Sequence, residues 1–124
     1  MSEKILITGI TGFVGSHLAD YALSKGHTIY GLKRWNLSRM RNVRHILDKI
    51  NWIDCDLTDS VSVTKAIKQS NPDKIFHLAA ESFVSPSWDH PTHYMDVNYK
   101  GTVNLFEAIR TLEINPRVLI PGSG

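Results

Sequence analysis

Three glycines at three-residue intervals, Gly9, Gly12 and Gly15, follow the strand-like run Lys4–Thr8 and open a helical pattern. That context is the one in which a glycine loop cradles a dinucleotide pyrophosphate. A phosphate held there meets backbone N–H groups that lack intrahelical partners, at the positive end of a helix dipole, so binding needs no charged side chain. Thr11, Phe13 and Val14 belong to the same cradle, between the glycines. Apolar residues at Val14, Leu18, Tyr21 and Ala22 give the segment that follows, as far as Lys25, its helical face.

The end of the second strand is where an adenosine ribose would lie. An NAD-selective site carries Asp or Glu there, roughly 20 residues beyond the glycines, to bind the ribose 2′-hydroxyl. This chain has Tyr30-Gly31-Leu32-Lys33-Arg34 instead. A carboxylate repels a 2′-phosphate, whereas a guanidinium holds it through paired, charge-assisted hydrogen bonds. The sequence therefore predicts NADP over NAD, with Arg34 as the main anchor and Lys33 or Arg39 in support. No acidic residue falls between Asp20 and Asp48, a stretch containing Lys25, Lys33, Arg34, Arg39, Arg41 and Arg44. A solvated basic loop is the other reading of that run. A net charge of +2 is too small to argue for nucleic acid.

After the third strand comes Cys55-Asp56-Leu57-Thr58-Asp59-Ser60. Thr58 is expected to cap the next helix and Asp59 to sit in its first turn. Asp56 either accepts a hydrogen bond from an adenine amino group or shapes the turn. The fourth strand ends in His77-Leu78-Ala79-Ala80, where the small alanines let a ribose or nicotinamide approach the backbone. His77, inside an apolar strand, reads as a hydrogen-bonded core histidine. His90 and His93 have no third ligand spaced to join them, so no metal site is predicted.

Positioning these groups is the task of one domain, which is all that 124 residues allow. The chain is 42% hydrophobic and 21% charged, an ordinary globular composition without an apolar run long enough to span a bilayer or a secretory signal. The single Cys55 excludes a disulfide framework, reads as a buried small hydrophobe, and fits a reducing cytoplasm. Strands are expected at Lys4–Thr8, Thr28–Leu32, Asn51–Cys55, Lys74–Leu78 and Val118–Ile120. Helices are expected at Gly12–Lys25, Ser60–Ser70 and about Thr92 to Thr111, with a short one near Val43–Leu47. Asn71-Pro72 and Asn115-Pro116 are read as helix stops. Alternating strands and helices with right-handed crossovers predict an α/β, Rossmann-type doubly wound parallel sheet of order 3-2-1-4-5 over residues 1–124. The chain ends at Pro121-Gly122-Ser123-Gly124, just past the fifth strand, so an incomplete cofactor domain lacking its substrate-binding part is expected.

The glycine loop, Asp56-Leu57, His77-Leu78-Ala79-Ala80, Asn98-Tyr99-Lys100-Gly101-Thr102 and Ser123 resemble, in order and spacing, the extended short-chain dehydrogenase/reductase family. This is the NAD-dependent epimerase/dehydratase group acting on nucleotide sugars. Within it, Lys33-Arg34-Trp35 and the segment from Glu81 to Trp88 look most like GDP-mannose 4,6-dehydratases and the neighbouring GDP-4-keto-6-deoxymannose reductases, both NADP(H)-dependent. Asn98 is more like the reductases and general epimerases. The resemblance implies a pyrophosphate on Gly9, Gly12 and Gly15, a 2′-phosphate on Arg34, and adenine beside Asp56 and Leu57. It places Leu78, Ala79 and Ala80 along ribose and nicotinamide, and Ser82 against the substrate. Ser123 would bond the sugar C4 hydroxyl. The family's Tyr-x-x-x-Lys pair and the dehydratase Glu would lie beyond Gly124, so the chain alone is expected to bind cofactor poorly and turn over nothing. Tyr21-x-x-x-Lys25 matches the pair only in spelling, since it belongs to the first helix. The resemblance further implies a nucleotide-sugar substrate, GDP-mannose first among them, and a homodimer or homotetramer paired through the long helix. A non-catalytic NADP-binding sensor is the alternative of another class.

Overall fold

The computed structural model describes residues 2–33, 41–78 and 91–120, with backbone only at Arg41 and over 91–98. Among these residues, β1 (Lys4–Thr8), β2 (Thr28–Lys33), β3 (Asn51–Asp54), β4 (Lys74–His77) and β5 (Arg117–Leu119) form one parallel sheet of order β3-β2-β1-β4-β5. Register runs from Leu32 beside Ile53 and Ile7 beside Gly31 to Ile7 beside Phe76 and Ile75 beside Val118. The order is the one expected from the sequence.

Alternation along the central strands builds two cores, one on each face. Ile5, Ile7 and Ile29 point to one side, where Ile10, Ala19, Ala22, Val43, Ile46 and Ile50 cover them. Leu6, Leu32, Ile53 and Ile75 point to the other, against Val63, Ala66, Ile67, Leu105 and Ala108. A sheet buried on both faces needs strands apolar at nearly every position, which β1 supplies.

α1 (Phe13–Ser24) starts one residue after the expected Gly12, which serves as its N-cap. Its buried face differs from the apolar pattern in the sequence: Gly15, Ser16, Ala19 and Ala22 are buried, while Val14 and Tyr21 are exposed. Small residues let the helix lie close on the sheet, and the larger side chains are turned outward. The stretch Arg41–Lys49 is 3-10 helical on either side of a kink at Ile46 (φ −125°, ψ 15°), and is longer than the single short helix expected near Val43–Leu47.

α2 (Ser60–Ser70) has the expected bounds but not the expected cap. Asp59, not Thr58, is the N-cap, its carboxylate accepting from Val61 N–H at 3.1 Å. Thr58 instead donates its hydroxyl to Asp56. The helix stops at Asn71, which takes the left-handed conformation that Asn tolerates, immediately before Pro72. α3 (Pro91–Thr111) is not stopped by Asn115-Pro116. Glu113 turns left-handed at φ 54°, with Ile114 N–H bonded to Ile109 O and Glu113 N–H to Arg110 O, a Schellman turn that closes the helix before the proline is reached.

Candidate functional site

All strands are parallel, so the residues following each strand collect at one edge of the sheet. That edge carries the glycine turn after β1, Lys33 at the end of β2, Asp56 and Leu57 after β3, and Leu78 after β4. Tyr21 and Lys25 lie at the other end of α1, with the Lys25 ammonium 5.5 Å from the Tyr21 ring centroid, which removes them from this edge.

Each glycine of the turn answers a different requirement. Gly9 has φ +71°, in the left-handed region. A Cβ on Gly15 would lie 2.3 Å from Gly9 O and 2.7 Å from Ile10 Cα, so only glycine lets the helix start so near the strand end. Gly12 N–H donates to Gly9 O at 3.0 Å, and Gly12 O accepts from Ser16 N–H at 3.0 Å. As N-cap, Gly12 has no side chain with which to accept from the first-turn N–H groups, and no acidic residue stands in that turn. No carboxylate of its own first turn compensates the helix dipole, which favours an anion. Phe13 and Val14, 71% and 47% exposed, flank the opening, and Phe13 stacks obliquely on His17 at 4.3 Å between centroids.

Beneath the turn lies a buried polar cluster. The His77 ring is 1% exposed, its Nδ1 2.8 Å from Thr8 Oγ1 and its Nε2 3.2 Å from Thr102 Oγ1. Leu78 N–H donates to Thr8 O at 3.2 Å. The ends of β1 and β4 are therefore joined to each other and to α3 through one imidazole. Burial holds its pKa below the ordinary histidine value, so the ring is neutral. This is the core histidine that the sequence suggested.

At the end of β3, Asp56 Oδ1 accepts from Thr58 N–H at 3.0 Å and Thr58 Oγ1–H at 2.7 Å. The turn-shaping reading of Asp56 is thereby realised. Leu57 is held by α3: its carbonyl accepts from Asn104 Nδ2 at 2.8 Å, and a Cβ on Gly101 would come within 3.3 Å of Leu57 Cβ. Leu78 sends its side chain into the core with Ile5 and Ile10, which leaves its backbone as the part at the sheet edge. Cys55 is buried, and burial pushes its thiol up, away from the reactive thiolate.

Arg34, Arg39, Ala79, Ala80, Ser82, His90 and Ser123 lie outside the described residues, as does the side chain of His93. Asn42 and Asn104 escaped the sequence reading. A lone Asn donating to a distant carbonyl leaves no local pattern, although Asn104 stands one helical turn beyond Gly101 on the same face.

Comparison with known proteins agrees with this geometry. The family described as GDP-mannose 4,6 dehydratase matches residues 6–123. A GDP-mannose 4,6-dehydratase of Vibrio cholerae is 40% identical over 120 residues, covering 90% of this chain and 32% of that protein. Among solved structures, the UDP-glucose 4-epimerase of Thermus thermophilus in complex with NAD is 30% identical, with TM-score 0.77 over 90% of this chain and 35% of that one. The fold alone is shared at TM-score 0.85 with a UDP-glucose-4-epimerase from Stenotrophomonas maltophila, 22% identical over 98% of this chain and 37% of that one. The chain spans about a third of the length of the curated relatives it matches. No helix among the described residues is long and apolar enough to cross a membrane. The chain belongs to the GDP-mannose 4,6-dehydratase family.

Proposed function

We propose that the chain is the NADP-binding front part of a nucleotide-sugar 4,6-dehydratase whose substrate is GDP-mannose and whose product is the 4-keto-6-deoxy sugar nucleotide. The observation that carries this reading is the glycine turn. A helix N-terminus without a side-chain cap, set against β1 so closely that a Gly15 Cβ has no room, suits the close approach of a pyrophosphate. The family membership supports the substrate and the reaction. The NAD in the Thermus epimerase complex supports a nicotinamide dinucleotide.

In this reading a bound dinucleotide would supply the hydride acceptor and donor that a dehydration proceeding by transient oxidation of the sugar needs. The chain's own residues bind and orient. Backbone N–H groups at Phe13, Val14 and Gly15 face the pyrophosphate, while Gly9 and Gly12 shape their approach. Asp56 and Leu57, fixed by Thr58 and Asn104, stand on the adenine side. Arg34, which follows Lys33 of β2, anchors the 2′-phosphate and makes NADP the preferred cofactor. Ala79 and Ala80 line the ribose and nicotinamide, Ser82 faces the sugar nucleotide, and Ser123 bonds the C4 hydroxyl. Tyr99, Val103 and Phe106, exposed at helical spacing on α3, support pairing of two copies through this helix. The lone buried Cys55 suits a cytoplasmic setting.

The test uses protein from the complete reading frame, GDP-mannose, and NADP at a small fraction of the substrate concentration. A dehydratase converts all the sugar nucleotide, because hydride returns within each cycle. A reductase of the keto product consumes NADPH one for one, so failure of catalytic NADP to support turnover of GDP-mannose overturns the reading. The cofactor preference is checked separately by titration. Arg34→Ala is expected to weaken NADP by on the order of a hundredfold, the loss of a charge-assisted pair, and to leave NAD nearly unchanged. Equal affinities for the two dinucleotides before mutation would remove the 2′-phosphate role.

A further inference from the structure

The peptide between Thr11 and Gly12 is held at both ends. Its N–H donates to Gly9 O at 3.0 Å, and its carbonyl accepts from Asn42 Nδ2 at 3.1 Å, from a residue 31 positions along the chain. We infer that Asn42 is a positioning residue for the phosphate cradle, keeping the Thr11 carbonyl turned away from the pyrophosphate and the first α1 N–H groups turned toward it. The inference rests on the dinucleotide reading above and names a further residue on which that grip depends.

The physical need for such a strut follows from the glycines. A peptide next to Gly12, in a turn that already contains Gly9 at φ +71°, has few steric barriers to rotation. Glycine admits the close approach that the ligand requires and gives up the conformational restraint a side chain would impose. Rotation of this peptide would point a carbonyl oxygen, the negative end of its dipole, toward the anion. A hydrogen bond to that oxygen from outside the turn opposes this rotation without occupying the cradle.

Asn42 is itself rigidly mounted. It belongs to the 3-10 segment Arg41–Lys49, on the N-terminal side of its kink at Ile46, and the segment buries Val43 and Ile46 in the core with Ile10 and Ala19. Three residues along, His45 Nε2 meets Asp20 Oδ1 of α1 at 2.8 Å. Two apolar plugs and two polar struts, each pair spaced by three residues, thus fasten the segment along α1 from the glycine turn to Asp20. Asn42 is exposed, and its removal leaves Val43, Ile46 and the His45 contact in place.

The experiment compares unaltered protein with Asn42→Ala and His45→Ala, all from the complete reading frame. NADPH, NADH and adenosine 2′-phosphate are titrated at a temperature well below each protein's thermal midpoint. Asn42→Ala is expected to weaken both dinucleotides by a similar factor, about tenfold for the loss of one orienting hydrogen bond, and to spare adenosine 2′-phosphate, which has no pyrophosphate. His45→Ala, one step removed, is expected to act in the same direction by a smaller factor. An unchanged dinucleotide affinity in Asn42→Ala overturns the inference. So does an equal loss for adenosine 2′-phosphate, which would assign Asn42 to seating the segment and not to the cradle. Unaltered protein that binds neither dinucleotide overturns the functional reading and the inference with it. Unaltered protein that prefers NADH removes only the 2′-phosphate role, and a loss of NADH affinity in Asn42→Ala then still supports the strut.

Discussion

Gly15→Ala will destabilise the protein by about 3 kcal/mol and abolish dinucleotide binding, the largest effect expected of any single methyl group in the chain. The added carbon would stand 2.3 Å from Gly9 O, 2.7 Å from Ile10 Cα and 2.9 Å from Gly9 C. All three are backbone atoms, so no side chain can swing aside. Relief requires α1 to move off β1, which opens the packing of Ala19 and Ala22 against Ile5, Ile7 and Ile29. For a domain whose total stability is about 5–15 kcal/mol, such a loss is a large fraction. Urea denaturation measures it directly, and an unfolding midpoint equal to that of the unaltered protein would refute the close approach.

Gly12 supplies the contrast that separates packing from binding. Its φ of −79° is open to any residue, and a Cβ there meets only Gly9 O at 3.3 Å. The stability cost of alanine at this position is accordingly far below that at Gly15. The two glycines look alike in sequence, yet one is required by the helix–strand contact and the other by the turn and the ligand side.

Much of this architecture was legible because strong periodic signals coincided with punctuation. β1 and α2 have the bounds read from the sequence, and the sheet order follows from strict alternation of strand and helix. The misreadings occurred where two chemically similar residues compete for one role or where tertiary packing overrides a local cue. Thr58 and Asp59 are both good caps. Asp59 takes the position because Thr58 is drawn to Asp56, a choice set by three adjacent side chains and not by either propensity. Val14 and Tyr21 look like core residues until α1 packs on the sheet through Gly15, Ser16, Ala19 and Ala22, leaving no depth for larger groups. Pro116 looks like the stop for α3, but Ile114 folding back against the second core with Ile109 ends the helix sooner. In the site, the glycine turn is a local motif and was readable. The hydrogen bonds from Asn42 and Asn104 join residues 31 and 47 positions from their acceptors, a distance over which one sequence carries no pairing signal.

The second large effect belongs to His77, and it has a pH signature. His77→Phe keeps an aromatic ring, somewhat larger, but removes both nitrogens, so the buried Thr8 hydroxyl and the half-buried Thr102 hydroxyl each lose one hydrogen bond. Two such losses cost about 1–3 kcal/mol together. The variant should still fold, and its dinucleotide affinity should drop, because Thr8 adjoins Gly9 and its carbonyl ties β1 to Leu78. The sign of the pH dependence follows from the lowered pKa. In the folded protein the ring resists protonation because burial penalises its charged form, whereas in the unfolded chain it titrates near 6.5. Below that value the unfolded state binds the extra proton first, so stability falls as pH drops through the window beneath 6.5 and rises again as pH returns to neutral. Histidines shared by both proteins contribute equally to their two curves. The difference between unaltered protein and His77→Phe therefore isolates this group: the stability gap should narrow from pH 7 toward pH 5. A gap that stayed constant across that range would mean that His77 titrates alike in the folded and unfolded chains, and a gap that widened would mean that the folded ring takes up the proton more readily, so that the Thr8–His77–Thr102 cluster is held together as an ion and not as a neutral relay between two strand ends and α3.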